Sequence, residues 1–425
     1  MRAVSDNAPL LHDLMPWSVA PLRIGRGWPV APDAATLRAR WALFTAAGEE
    51  EREALLHPSR ARGLHSRVGQ LPGHRTATTA LAREEGPCPE PVPIAHGAYD
   101  RQWLIPDHRL VDAARPELWR VLDGHQVFAV EQAFVPEAEE PPVTFAALLP
   151  DGRSPAGRPG RIRPLFRQPG GRDPNLAPGL LEALSAAYGA GVSAYDVLAW
   201  VAAAGYAAPE GCRVPFAAGP EQWRAGVALG ERLVWLHTRG ARFADPAAGR
   251  DPGGPRLPGG SRPYVRAPLP AAPGPGELEY DPEQRELRIG AGRVSPVSPA
   301  AWQRTAGGVR VLEAWWERRT APGPPGSLEA LRPPPWTRSS TSELLETVSV
   351  LTLLAELDAE RRELARRLTP QPGPGQGQER EQGRGGVGAA ELRDTGVLPV
   401  PAARRRPASV LDHREEGPDG QFALV

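Results

Sequence analysis

Lysine is absent: all 50 residues counted as Lys+Arg are arginine. A P-loop motor needs the Lys of G-x-x-x-x-G-K-[ST] at the β/γ-phosphates and a Schiff-base enzyme needs a lysine amine, so both classes are excluded. A nuclease centre of two acids and a lysine around a metal is excluded in the same way. Cysteine is nearly absent. Cys88 and Cys212 stand far apart with no C-x-x-C, which argues against a disulfide framework or a cysteine zinc site and suits a reducing compartment. Long apolar runs are missing too: nothing approaches the roughly 18 residues of a membrane span, and "MRAVSDNAPLLHDLMPW" lacks a signal-peptide core. A soluble, cytoplasmic protein with no membrane partner is expected. Net charge is also missing, 50 basic residues against 50 acidic, so a phosphate-binding face must come from local clustering rather than a uniformly basic surface.

What is present is a chain of 425 residues, 41% apolar, rich in Gly (46) and Pro (51), with enough apolar material for a sizeable core. Residues 1–90 read as an irregular N-terminal region with one helix, capped by Asp33 and carrying Leu37, Trp41 and Phe44 at helical spacing. Residues 91–368 read as a mixed α/β (α+β) region of short strands and helices that ends in a helical part. Within it, "QVFAVEQAFV" and "PVTFAALLP" are β-like, and "DGRSPAGRPGRIRPLFRQPGGRDP" is the strongest basic patch, expected as an exposed loop. Ser193 and Asp196 form a capping box, "ELEYDPEQRELRIG" is a hairpin candidate, and Leu344, Val348, Leu351, Leu354 and Leu357 stripe a long helix. Residues 369–425 read as a disordered tail, since Pro, Gly, Gln, Glu and Arg dominate there.

The stretch "YDRQWLIPDHRLVDAARPELW" places His108 beside Asp107, with Asp100 and Asp112 near. That combination suits acid–base work or a metal, but no matching ligands follow elsewhere, and a structural seam is the favoured use. No G-x-S-x-G elbow occurs. Adenine methylation needs a polar residue before Pro-Pro-aromatic; Pro333-Pro334-Pro335-Trp336 has proline in its place, and "LRIGRG" and "LRIGAGR" are weak glycine signals. No catalytic and no metal-binding residues are assigned. The remaining theme is arginine interleaved with tryptophan, a pairing that can hold phosphates, take a guanine edge or stack on a base.

Several separated phrases resemble one family. The block from Tyr99 to Trp119, "AYDVLAWVAAAGYA", "RLVWLHTRGARFADP", "VSPVSPAAWQRTAGGVRVLEAWWERRT" and "SLEALRPPPWTRSSTSELLETVSVLTLL" follow, in order, the C-terminal specificity region of Type ISP restriction-modification enzymes. The resemblance implies a free-standing module that recognises double-stranded DNA, served by a separately encoded methyltransferase or helicase-nuclease and needing no cofactor of its own. DNA contacts are then expected from Arg101, Arg109, Arg115, Arg158, Arg161, Arg163, Arg310, Arg318 and Arg319, and loss of Arg109 is expected to relax site choice rather than unfold the chain. Two alternatives stand beside this: a divergent adenine methyltransferase using S-adenosylmethionine, and a protein-interaction scaffold.

Overall fold

The computed structural model describes residues 8–75, 78–132, 134, 140–153, 160–189, 191–217, 219–240, 262–331, 335–368 and 387–399. Helices and small sheets alternate along the chain, the mixed α/β architecture expected from the sequence. Asp33 accepts the N–H of Thr36 at 2.8 Å and starts the helix Ala34–Ala46. The apolar face of that helix buries Leu37, Trp41 and Phe44 beside Trp28, Leu56 and Ile105, with Trp28 stacked on Phe44 at 5.3 Å. Strand Arg101–Leu104 pairs antiparallel with Val30–Ala31 on one side and Val92–Ala95 on the other, and Leu149–Pro150 adds in parallel. The basic and acidic stretch beginning at Tyr99 therefore opens as a central strand, not as a loop.

A second sheet sets Phe128–Glu131 between Val143–Ala146 and Arg161–Pro164, all antiparallel. Strands Phe166–Gln168 and Arg172–Pro174 follow as a two-stranded ribbon. The segment expected as one exposed loop is thus largely β where it is described, because Ile162 and Leu165 are fully buried and draw the chain onto the sheet. Next come helices Leu180–Tyr188, Ala194–Ala204 and Pro220–His237. The capping box forms as read: the Ser193 hydroxyl accepts the N–H of Asp196 at 3.2 Å, and the Asp196 carboxylate accepts the N–H of Ser193 at 2.7 Å.

A third sheet orders Tyr264–Ala267, Gly292–Ser295, Glu286–Ile289 and Leu278–Asp281. Its hairpin is the one expected, with Asp281 accepting the turn N–H groups of Glu283 and Gln284. Strand Tyr264–Ala267 lies inside a Pro/Gly-rich stretch. The helix Arg338–Leu368 joins two cores: Leu344, Val348 and Leu351 pack with Trp315 and Trp316, while Val350, Leu354 and Leu357 pack with the central helices. Within the expected tail, residues 387–399 carry the helix Ala389–Asp394, and Val387, Leu392 and Leu398 are buried in the central core. The apolar residues of that short segment supply what the rest of its composition hides. Residues 369–386 and 400–425 lie outside the described residues.

Helices Ala194–Ala204 and Pro220–His237 cross where glycine is obligatory. A Cβ on Gly230 would stand 1.7 Å from the Ala199 carbonyl oxygen, and one on Gly226 would stand 2.2 Å from the Trp200 ring. Gly230→Ala is expected to cost about 3 kcal/mol or more of unfolding free energy, because backbone cannot yield as a side chain can. Gly48→Ala, with nothing within 4 Å and an ordinary extended φ of −65°, is expected to change it by less than about 0.5 kcal/mol; chemical denaturation compares the two.

Candidate nucleic-acid interface

Asp100 is 2% exposed and faces two arginines of the helix Val311–Thr320. Arg318 Nε donates to its Oδ2 at 2.6 Å and Arg319 Nη2 to its Oδ1 at 2.9 Å, while Gln102 Nε2 donates to Oδ2 at 3.1 Å. Arg319 also donates to the Arg101 carbonyl and to Glu343 on the long helix, and its guanidinium lies 3.8 Å from the centre of the Trp315 ring. One residue before Asp100, the Tyr99 carbonyl accepts from Arg239 at 2.9 Å, and Arg239 also binds Glu346 at 2.7 Å and the Thr347 hydroxyl at 3.1 Å. The Tyr99 and His237 rings meet at a tilt of 33°, their centroids 5.1 Å apart. The sequence blocks around Tyr99, His237 and Trp315, far apart in the chain, therefore meet in one polar seam.

Burial works against the charge on Asp100, but Arg319 and Arg318 outweigh it and hold the carboxyl down at about 2. Glu343 moves the other way: burial and then the neighbouring Asp100 push it up despite Arg319. The shared guanidinium thus serves Asp100 first. His237 is pushed down to about 3 by burial and by Arg304 and Arg361, so it is neutral near pH 7. The cavity between these groups, lined by Tyr99, Asp100, His237 and Arg239, measures about 40 Å³, room for water and not for a nucleoside.

The rest of the Tyr99 to Trp119 block is equally committed. Arg109 is 2% exposed, grips Asp107 from Nε and Nη2, and reaches Glu84 at 2.7 Å and the Thr79 carbonyl at 2.8 Å. His108 lies between Arg62 and the Gly69 carbonyl, and Asp112 takes Arg26 and the Ser59 hydroxyl. Trp119 donates to the Ala114 carbonyl. Among the described residues no group of three or more His, Cys, Asp or Glu is placed to hold a metal ion.

The nine arginines read from the sequence therefore separate. Arg109, Arg163 and Arg319 have buried side chains whose terminal nitrogens are bound inside the fold, which does not suit the DNA contact expected of them; Arg319 Nε has no partner. Arg163 is 4% exposed, bound to Glu131 and to the Met15 carbonyl. Arg318 is half-buried with Nε on Asp100. Arg115, at φ +54° ahead of Pro116, donates to the Pro21 carbonyl, and Arg101 is half-buried in its strand. Arg310 is exposed, paired with Glu313 and set over the Trp302 ring. Arg161 is exposed. Arg158 lies outside the described residues.

Solvent-facing guanidiniums do gather on the strand and ribbon that follow. Arg161, Arg167 and Arg172 are exposed, and no carboxylate stands within ion-pair distance of them among the described residues. Six residues of extended chain separate Arg161 from Arg167, at most about 20 Å. The helix Pro116–Val121, with exposed Arg120, lies against the ribbon. Arg167, Gln168 and Arg172 were missed individually, although the arginine-rich segment that holds them was legible. What separates them from Arg163 is burial against Glu131 and the Met15 carbonyl, partners distant in sequence that no local signal announces.

The family model described as the Type ISP C-terminal specificity domain matches residues 13–347. Among solved structures, the fold is similar to that in the cryo-EM structure of the DrdV–DNA complex, with a TM-score of 0.56, 16% identity, and coverage of 82% of this chain and 36% of that one. It is also similar to the ATP-dependent Type ISP restriction-modification enzyme LlaBIII bound to DNA, with a TM-score of 0.52, 11% identity, and coverage of 84% of this chain and 23% of that one. The chain thus spans about a third or less of either neighbour, and at these identities the likeness is one of fold. No curated protein matches it.

Removing one partner of a buried pair strands the other, at a cost of about 3–5 kcal/mol. Asp100→Asn and Arg109→Ala are each expected to lower unfolding free energy by about that much in denaturant titrations. For Arg109 this replaces relaxed site choice as the expected outcome. Because the Asp100 carboxyl is held below its unfolded value, its contribution, on the order of 2 kcal/mol, is complete above about pH 4 and is lost as pH falls toward 2. Glu343, pushed up, acts in the opposite sense. The wild-type chain is expected to show this acid loss and Asp100→Asn to lack it.

Proposed function

Because the chain belongs to the Type ISP C-terminal specificity domain family, we propose that it recognises sequence in double-stranded DNA for a restriction-modification system. The methyltransferase or helicase-nuclease activity that it serves lies outside these residues, and the complex acts in the cytoplasm. The observation that carries this reading is the exposed set Arg161, Arg167 and Arg172, on a strand and the ribbon that follows it after a bend at Leu165, with no ion-pair partner among the described residues. Desolvation and ion pairing consume the arginines of the seam, whereas these three turn their terminal nitrogens to solvent, open to a polyanion. Arg161 and Arg167 serve as phosphate contacts, and Arg310, exposed on its own short hairpin, is a further one. DrdV and LlaBIII are both seen with DNA, which supports the partner class.

Phosphate contacts release counterions, so binding must weaken steeply with salt. The purified chain is expected to shift fluorescently labelled duplexes drawn from a host-genome library, with affinity falling at least tenfold between 50 and 200 mM salt, a fall of the size that several phosphate contacts produce. Arg161→Ala with Arg167→Ala is expected to weaken every sequence alike and to reduce the log–log salt slope by about 2. Salt-independent binding, or an unchanged slope in the double variant, rejects the reading.

A further inference from the structure

The ribbon of Phe166–Gln168 and Arg172–Pro174 is held at both ends by a single loop. At its root, the Gln126 side chain, 2% exposed, donates to the Phe166 carbonyl at 2.8 Å and accepts the Phe166 N–H at 3.1 Å. At its tip, Asp123 accepts the N–H of Gly170 with Oδ2, while Oδ1 accepts the N–H groups of His125 and Gln126 at 2.8 and 3.0 Å. The turn itself requires glycine: Gly170 and Gly171 sit at φ +77° and +67°. Two side chains stand directly across the ribbon from one another at this tip, Gln168 and Arg172, and both are exposed. Arg172 Nε donates to the Pro169 carbonyl at 3.1 Å, and no described residue takes its two terminal nitrogens.

We propose that this ribbon tip enters the DNA major groove, where Arg172 reads a guanine and Gln168 an adenine in neighbouring base pairs. The inference rests on the duplex-recognition reading above. A two-stranded ribbon fits a groove about 12 Å wide, an arginine fork matches guanine O6 and N7, and a glutamine amide matches adenine N6 and N7. Cross-strand partners lie roughly 5 Å apart, against a base-pair rise of about 3.4 Å, so the two side chains reach successive pairs rather than the same one. The Nε bond to Pro169 fixes the guanidinium while leaving its forked end for the base. Asp123 and Gln126 supply the rigidity that base readout demands, since a loose reader loses discrimination before it loses affinity. Both act on backbone, and neither consumes a reading side chain.

The test is binding-site selection from randomised duplexes with the full chain, comparing wild type with Arg172→Lys and Gln168→Ala. Arg172→Lys keeps the charge and loses the fork; tryptophan fluorescence confirms that each variant is folded. The expected result is a wild-type site containing a guanine next to an adenine. Arg172→Lys should lose roughly tenfold or more of the preference at the guanine alone, and Gln168→Ala the same at the adenine alone. If wild type selects a site and both folded variants select it unchanged, the ribbon does not read bases, although the duplex-recognition reading survives. If wild type binds no duplex at all, that reading falls and this inference falls with it.

Discussion

The buried carboxylate of Asp100 is the interaction on which the arrangement depends. It precedes a central strand, Arg101–Leu104, and it collects two arginines from a helix more than two hundred residues later. Through Arg319 it reaches Glu343 on the long helix Arg338–Leu368, and that helix in turn packs two apolar cores. A solitary ionised carboxylate could not be buried there. With two guanidiniums and an amide it becomes a joint whose directed bonds tie the helix Val311–Thr320 to the start of the strand Arg101–Leu104. Apolar packing alone would tolerate a sliding interface; this set of directed bonds does not.

The absence of lysine gives the same pattern across the chain. Arg52 donates to the carbonyls of Leu81, Ala82 and Glu84 and also to those of Thr45 and Ala47. Arg40 ties the Trp28 and Val30 carbonyls to that of Leu331. A guanidinium has five donors in a fixed plane and can satisfy several loop carbonyls at once, which an ammonium on a flexible stem does less well. Long Pro/Gly-rich connections leave many backbone carbonyls without ladder partners, and buried arginine answers that need. Arginine abundance is therefore poor evidence for a polyanion partner in this chain.

That is also why the fold was more legible than the site. Features written in local sequence emerged as read: Asp33 as a cap, Ser193 with Asp196 as a box, Asp281 in its turn, and the stripe from Leu344 to Leu357. Each needs only neighbours within about one helical turn or one hairpin. Strand Val30–Ala31 and strand Tyr264–Ala267 were not legible, since their partners lie some 70 and some 30 residues away. The arginines were harder still. Arg161 and Arg163 differ by two positions in one strand, and yet one faces solvent while the other lies on Glu131 and the Met15 carbonyl. A single letter carries no burial, and strand alternation would set both on one face; they differ because Arg161 stands at the exposed start of the strand while Arg163 lies inside it.

Rigidity and recognition make opposing demands on the same residue type. A guanidinium that anchors the fold spends its donors internally and has none for a ligand, as Arg109 and Arg319 illustrate. A guanidinium kept for a ligand contributes nothing to holding its own strand. The ribbon at Phe166–Pro174 resolves this by assigning the anchoring to other chemistry, with Asp123 and Gln126 binding its main chain. The seam and the ribbon are thus complementary uses of one composition: carboxylates placed beside buried arginines make joints, whereas at the ribbon the carboxylate of Asp123 serves the backbone and leaves the exposed arginines for the reading proposed above.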